Sequence, residues 1–275
     1  MRSGRIWFSD LSKPAIFVAV SSVVLLGSWA VCFAYSDNIV ECWRSPEIVT
    51  VDADLGEWNT SSPAVLSSES QLVRDANQWT GPEDLSAEVF LMWDTGNLYL
   101  AAVVHDDTPF MYREGFPPDW ADAIVLHFST DPGADPNRSS YDSTDFRLTM
   151  IIDDYLFNTG LDREMVADKR GLETRGEAGD EQILDGYEYA VAEIDGGYVF
   201  EAKIPFSNFS NDQIPALVPA DGMEIGFDLS AFDLDFPCPG VATARMAWTG
   251  SADADSNPST WGRLIFRGQI GGAAQ

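Results

Sequence analysis

The stretch "WDTGNLYLAAVVHDD", Trp93 to Asp107, decides how the chain is read. Its "DTGN" separates the run "SAEVFLMW" from "LYLAAVV", and Asp, Gly and Asn supply the chemistry of a tight turn, so the two runs are expected to form a β-hairpin. The returning strand stops on Asp106 and Asp107. Adjacent like charges repel unless a cation or a set of donors compensates them. This end of the hairpin is therefore expected to be a calcium site or a point of backbone capping.

Outward from the hairpin, short β-prone runs alternate with Gly, Pro, Asp and Asn: "EIVTV", "DAIVLHF", "FRLTMII", "YEYAVAEI", "YVFEAKIPF", "EIGFDLSAFD", "ARMAW" and "GRLIF". A second turn, "DGG", joins "YEYAVAEI" to "YVFEAKIPF". There Tyr198, Phe200, Ala202 and Ile204 alternate with Val199, Glu201 and Lys203, the pattern of a strand with one wet face. No helical period is sustained and no fixed-length repeat occurs. The fold class expected is all-β, an antiparallel, jelly-roll-like β-sandwich over residues 47–267. Residues 36–46 are expected to be a linker, the polar stretch Asn158 to Asp185 a long loop with room for one helical turn, and residues 268–275 a disordered tail.

Residues 1–35 read as an export signal or an anchor. Arg2, Arg5 and Lys13 precede an uncharged stretch from Ala15 to Tyr35, close to the ~20 residues that cross a bilayer as helix. Small residues at Ser28 and Ala30, or Cys32 and Ala34, offer cleavage sites. Cleaved or retained, the segment places the domain outside the cytoplasm: secreted, periplasmic or cell-surface. The formal net charge of -28, from 16 Lys+Arg against 44 Asp+Glu, argues against nucleic acid and anionic membrane surfaces. Neutral ligands and metal cations remain, with membrane contact only through residues 15–35. Beyond Cys32 the cysteines are Cys42 and Cys238, either an oxidised pair or two unrelated thiols.

Catalytic signatures are scarce. His105 and His127 are the two histidines, no G-x-S-x-G or G-x-G-x-x-G occurs, and with 44 acidic residues a glycosidase pair is not identifiable. Haem ligation would need axial side chains, and Met111, Met150, Lys203 and the histidines show no grouping. Acidic clusters are plentiful: Asp52 and Asp54, Asp106 and Asp107, Asp131 and Asp135, Asp233 and Asp235, and Asp253, Asp255 and Asn257. Each could gather oxygens for calcium or cap its own turn. Nine tryptophans are many for this length, and Trp58, Trp79, Trp120, Trp248 and Trp261 have polar neighbours. Indole faces suit pyranose rings, although packing explains a tryptophan equally well.

Taken in order, "VDADLGEW", "AEVFLMWDTGNLYLAAVVHDD", "DWADAIVLHF", "GYVFEAKIPFS", "GMEIGFDLSAFDLD", "AWTG" and "STWGRLIF" resemble the family 9 carbohydrate-binding modules and their extracellular relatives, from about Ile48 to Phe266. The resemblance implies a non-catalytic β-sandwich, often calcium-stabilised, that grips the end of a glucan or xylan chain between two tryptophans. It also implies a separate glycoside hydrolase as partner. By motif position Trp120 and Trp248 resemble that pair, and Arg147 resembles an arginine that bonds sugar hydroxyls. The calcium ligands expected are Asp106, Asp107 and Asp122, with Asp52 and Asp54. One departure is Val125, where sugar-binding members usually carry a glutamate. Three alternatives stand beside the module: a domain of this fold without a ligand, a divergent glycosidase and a haem-binding electron carrier.

Overall fold

The computed structural model describes residues 38–46, 49–109, 122–151, 166–168, 181–210, 214–235 and 243–268. These carry fourteen strands, in chain order β1 (Ile39–Arg44), β2 (Ala64–Leu66), β3 (Leu72–Arg74), β4 (Leu85–Trp93), β5 (Asn97–Asp106), β6 (Ala123–Ser129), β7 (Asp145–Ile151), β8 (Val166–Asp168), β9 (Glu181–Ile183), β10 (Glu188–Ile194), β11 (Gly197–Pro205), β12 (Glu224–Asp233), β13 (Ala244–Ala247) and β14 (Gly262–Arg267). Among the described residues the only helical pieces are short 3-10 turns.

Hydrogen bonding follows one open path, β10-β11-β5-β4-β1-β14-β12-β6-β7-β8-β9. The fold is all-β, but the antiparallel expectation needs correction: β1 runs parallel to both its neighbours, β14 and β4, so the sheet is mixed. Two long strands change partner midway. Along one edge β4 pairs first with β2 and then with β1, and β12 pairs first with β14 and then with β13. The path thereby folds into two facing halves. Leu100, Phe200 and Ala202 from one end share a core with Leu126, Phe128 and Phe146 from the other, and Phe209 meets Phe128 edge-on at 4.7 Å. Full burial of such side chains is worth roughly 1.5–3 kcal/mol each, which makes this core the main source of stability.

The "DTGN" turn forms as its residues dictate. Asp94 Oδ1 accepts from the backbone N–H of Gly96 and Asn97, and the Tyr99 hydroxyl donates to Asp94 Oδ2 at 2.7 Å. In "DGG", Gly197 adopts φ 153, and a Cβ there would lie 1.9 Å from the Val104 carbonyl oxygen, so only glycine lets β11 lie against β5.

Three expectations change. Residues 39–44 of the expected linker form β1, with Val40 and Cys42 fully buried in the core. The polar stretch contributes the short strands β8 and β9, whereas "EIVTV" yields no strand among the described residues. Cys42 is fully buried in the core, where burial raises its thiol pKa, and Cys238, its candidate partner, lies outside the described residues. So do residues 1–35 and 269–275. Among the described residues no helix is long and apolar enough to cross a membrane.

Candidate functional site

Two polar clusters stand out against this frame. The first gathers where β5 and β12 end and β6 begins. Asp106, Asp122 and Asp233 are 1%, 1% and 2% exposed, and one carboxylate oxygen from each lies within 4.8 Å of the others. Beside them Asp84, Asp107 and Asp235 form a second group with the same spacing. Local structure explains the delivery: Asp106 and Asp107 close the hairpin strand, Asp233 ends β12, and Asp122 directly precedes β6.

The donors available to these groups are few. Asp106 Oδ1 accepts from Thr108 N–H at 2.8 Å, and Asp122 Oδ1 accepts from Leu234 N–H at 2.9 Å. Asp106 Oδ2 and both oxygens of Asp233 are buried without a hydrogen-bond partner. Burial, followed by the neighbouring Asp106 and Asp235 carboxylates, pushes Asp233 up to about 8. Burial likewise raises Asp106 and Asp122, and the two share a side-chain hydrogen bond. An unpaired buried carboxylate is costly, and here several are confined together.

A hard divalent cation fits this arrangement. Calcium takes oxygen ligands at about 2.4 Å, so oxygens within 4.8 Å of one another can all lie on one coordination sphere. Asp106, Asp122 and Asp233 would hold it, and it would supply the positive charge that the buried oxygens lack.

The second cluster lies on the opposite face of β6, β7, β12 and β13 from the core. Strand alternation puts Leu126, Phe128, Leu148 and Leu229 inward and His127, Arg147, Ser230 and Arg245 outward. Asp255 is the hub. Arg245 pairs with it through both Nη atoms, His127 Nε2 lies 3.2 Å from Oδ1, and Arg147 Nε lies 3.9 Å away. Burial would raise the Asp255 carboxyl, but His127, Arg245 and Arg147 hold it well below the usual range. Burial also dominates at His127, pulling its imidazole down to about 4 despite the carboxylate beside it. His127 is therefore neutral near pH 7. Its Nδ1 and the Tyr141 hydroxyl share a 2.8 Å hydrogen bond, and Trp261 Nε1 donates to the Ala254 carbonyl at 2.8 Å, fixing the loop before Asp255.

The remaining predicted residues divide between packing and turns. Asp52 and Asp54 join neither acidic group: Asp52 Oδ1 accepts from Asp54 N–H, Asp54 Oδ1 accepts from Gly56 N–H, and buried Glu201 clasps their loop through Trp58 Nε1 and two backbone N–H groups. Asp131 and Asp135 also cap their own turns. Asn257 caps the short turn at Pro258–Thr260. Trp248 is 7% exposed and packs in the core with its ring against Phe227, so it presents no free face for stacking. Trp120 lies outside the described residues. Val125 is fully buried on the outward face with Ala123 and Phe232.

Sequence reasoning singled out Asp233 and Asp235 as a cluster but did not place them beside Asp106 and Asp122. It passed over Asp84 altogether. Asp84 leaves no motif: it precedes a strand and accepts from Thr80 N–H like any turn aspartate.

The comparisons with known proteins agree with this architecture. The family model described as carbohydrate family 9 binding domain-like matches residues 51–269. Among solved structures, the chain is similar to a family 9 carbohydrate-binding module from Caldicellulosiruptor kristjanssonii in complex with cellotriose. The TM-score is 0.55 at 18% identity, covering 86% of this chain and 98% of that one. A structure of a family 9 module from the same organism in complex with glucose gives a TM-score of 0.53 at 20% identity, covering 86% and 100%. No curated protein matches the sequence.

Proposed function

The chain belongs to the carbohydrate family 9 binding domain-like family, and from that premise we propose that it is a non-catalytic module that binds a poly- or oligosaccharide. The observation that carries the reading is the extent of the family match, which takes in β2 to β14 and both polar clusters. On this reading the module works outside the cytoplasm, delivered by residues 1–35, beside a separate glycoside hydrolase in polysaccharide breakdown. The outward face of β6 and β7 supplies the polar contacts. Arg147, 19% exposed, donates to sugar hydroxyls, and Asp255, 32% exposed, offers an acceptor at its side. Trp120 is the aromatic platform, assigned on motif order. Calcium in the Asp106, Asp122 and Asp233 group holds the strand ends together and takes no part in sugar recognition.

The test is tryptophan fluorescence of the full chain titrated with cello-oligosaccharides and xylan. The expected outcome is a saturable change with one glycan class, weakened at least tenfold in Arg147→Ala and in Trp120→Ala, a loss of about 1.4 kcal/mol or more. No change with any glycan would leave the second reading, a domain of this fold without a sugar ligand. The burial of Trp248 favours that alternative.

A further inference from the structure

Phe232 stands between two arginines that differ in how they are satisfied. Arg74 and Arg245 are directly opposed on β3 and β13, so their side chains share the outward face, and each guanidinium carbon lies 5.1 Å from the centre of the Phe232 ring. Arg245 is 5% exposed and gives both Nη groups to Asp255. The Arg74 side chain is 42% exposed. Its Nε donates to the Thr243 carbonyl at 3.2 Å, and its ion pair, also through Nε, is a 3.9 Å contact with Asp75. Among the described residues neither Nη group of Arg74 has a hydrogen-bond partner.

The ring and the carbonyl together fix the Arg74 guanidinium and leave its Nη edge open. Composition makes that unusual. With 44 acidic side chains to 16 basic ones, carboxylates are in excess, yet Arg74 meets Asp75 alone, and only at the limit of an ion pair. A planar fork of N–H donors fits a carboxylate through two parallel bonds, a match that a single sugar hydroxyl cannot make. Strands β3, β13, β12, β6 and β7 are consecutive neighbours, so Arg74 and Arg147 lie on one outward face four strand spacings apart, about 19 Å. A glycan that reaches Arg147 can carry a substituent to Arg74. The net charge of -28 opposes a polyanion at longer range, which favours sparse carboxylates over a fully charged polymer.

We propose that Arg74 is a carboxylate-binding subsite on this face, and that the glycan bound is a mainly neutral one bearing uronic acid residues. The proposal rests on the reading of the outward face as a carbohydrate-binding surface and adds the class of its ligand. Phe232 and Thr243 act as positioning residues for the guanidinium.

The experiment is calorimetric titration of the full chain with xylo-oligosaccharides of one length, with and without a glucuronic acid branch, and with cello-oligosaccharides. The wild type is expected to prefer the branched ligand by about tenfold or more, as a bidentate charged contact would give. The preference should vanish in Arg74→Gln and survive only in part in Arg74→Lys, which retains the charge but not the fork. Equal affinity for branched and unbranched ligands in the wild type, or binding of cello-oligosaccharides alone, overturns the subsite and leaves the carbohydrate reading standing. No binding of any of the three overturns both. A preference undiminished in Arg74→Gln overturns the assignment to Arg74, and one kept whole in Arg74→Lys overturns the fork.

Discussion

The two polar clusters solve the same electrostatic problem in opposite ways. Around Asp255 the chain supplies its own cations, Arg245 and Arg147, and one carboxylate is surrounded by donors. Around Asp233 it supplies further carboxylates. The comparison teaches that an acid drawn out of water does not by itself mark a cation site, because one that finds its arginine already has its counter-charge. A buried acid facing only other acids has to take up either a proton or a counter-charge from outside the chain.

The sharpest way to break the contrast is to remove divalent cations. A ligand present at about a thousand times its dissociation constant stabilises the native state by about 4 kcal/mol, so chelation should lower the thermal midpoint strongly. The same treatment of Asp233→Asn should change it far less. Equal responses of wild type and variant would mean that the first cluster binds no ion.

Next in size is Asp255→Ala. Removing the hub leaves Arg245, 5% exposed, without its carboxylate, a loss of about 3 kcal/mol at the low end for a broken buried pair because Asp255 is partly solvated. Urea unfolding should show this loss equally with and without calcium. A variant as stable as the wild type would show that the arginines need no partner.

A third test uses pH at a site independent of calcium. Asp228 is fully buried, accepts from the N–H groups of Leu229 and Thr249 and from the Thr249 hydroxyl, and is pushed by burial up to about 7. Its folded value lies above the unfolded one, so its contribution is complete below about pH 4 and is lost as pH rises through 7. Relative to Asp228→Asn, wild-type stability should fall by roughly 1.4 kcal/mol per pH unit between those limits. Parallel stability curves for the two proteins would refute the shift. The smallest effect is expected at Asp131→Ser. The hydroxyl retains part of the turn cap, and melting should reveal a change of about 0.5 kcal/mol or less with calcium affinity unaltered.

Much of this was legible in the chain itself. The ladder from β4 through β7 and the long strands β10 to β12 and β14 follow from β-branched and aromatic runs punctuated by Gly, Asp and Asn. Residues 39–44 were misread because "IVECWR" is short and carries charges at Glu41 and Arg44, although Val40 and Cys42 alternate inward. The parallel pairing of β1 is nonlocal and leaves no turn signal. At the site, Asp106 and Asp107 were conspicuous as neighbours, whereas Asp233 reaches Asp106 only through the fold. Asp52, Asp54 and Asp131 have the same residue type and spacing as cation ligands, and whether an aspartate faces its own turn or another carboxylate is decided by tertiary packing. Trp248 fails as a stacking platform for the same reason.

The position of β1 also governs the order of assembly. Val40 pairs with Leu264, so the middle of the sheet joins nearly the first described residues to nearly the last, and this seam cannot close until the whole chain is available. Until then β4 and β12 each expose a half-length edge, open to wrong partners or to a chaperone. Deleting residues 39–44 or 262–267 would cut the sheet's keystone rather than trim a margin.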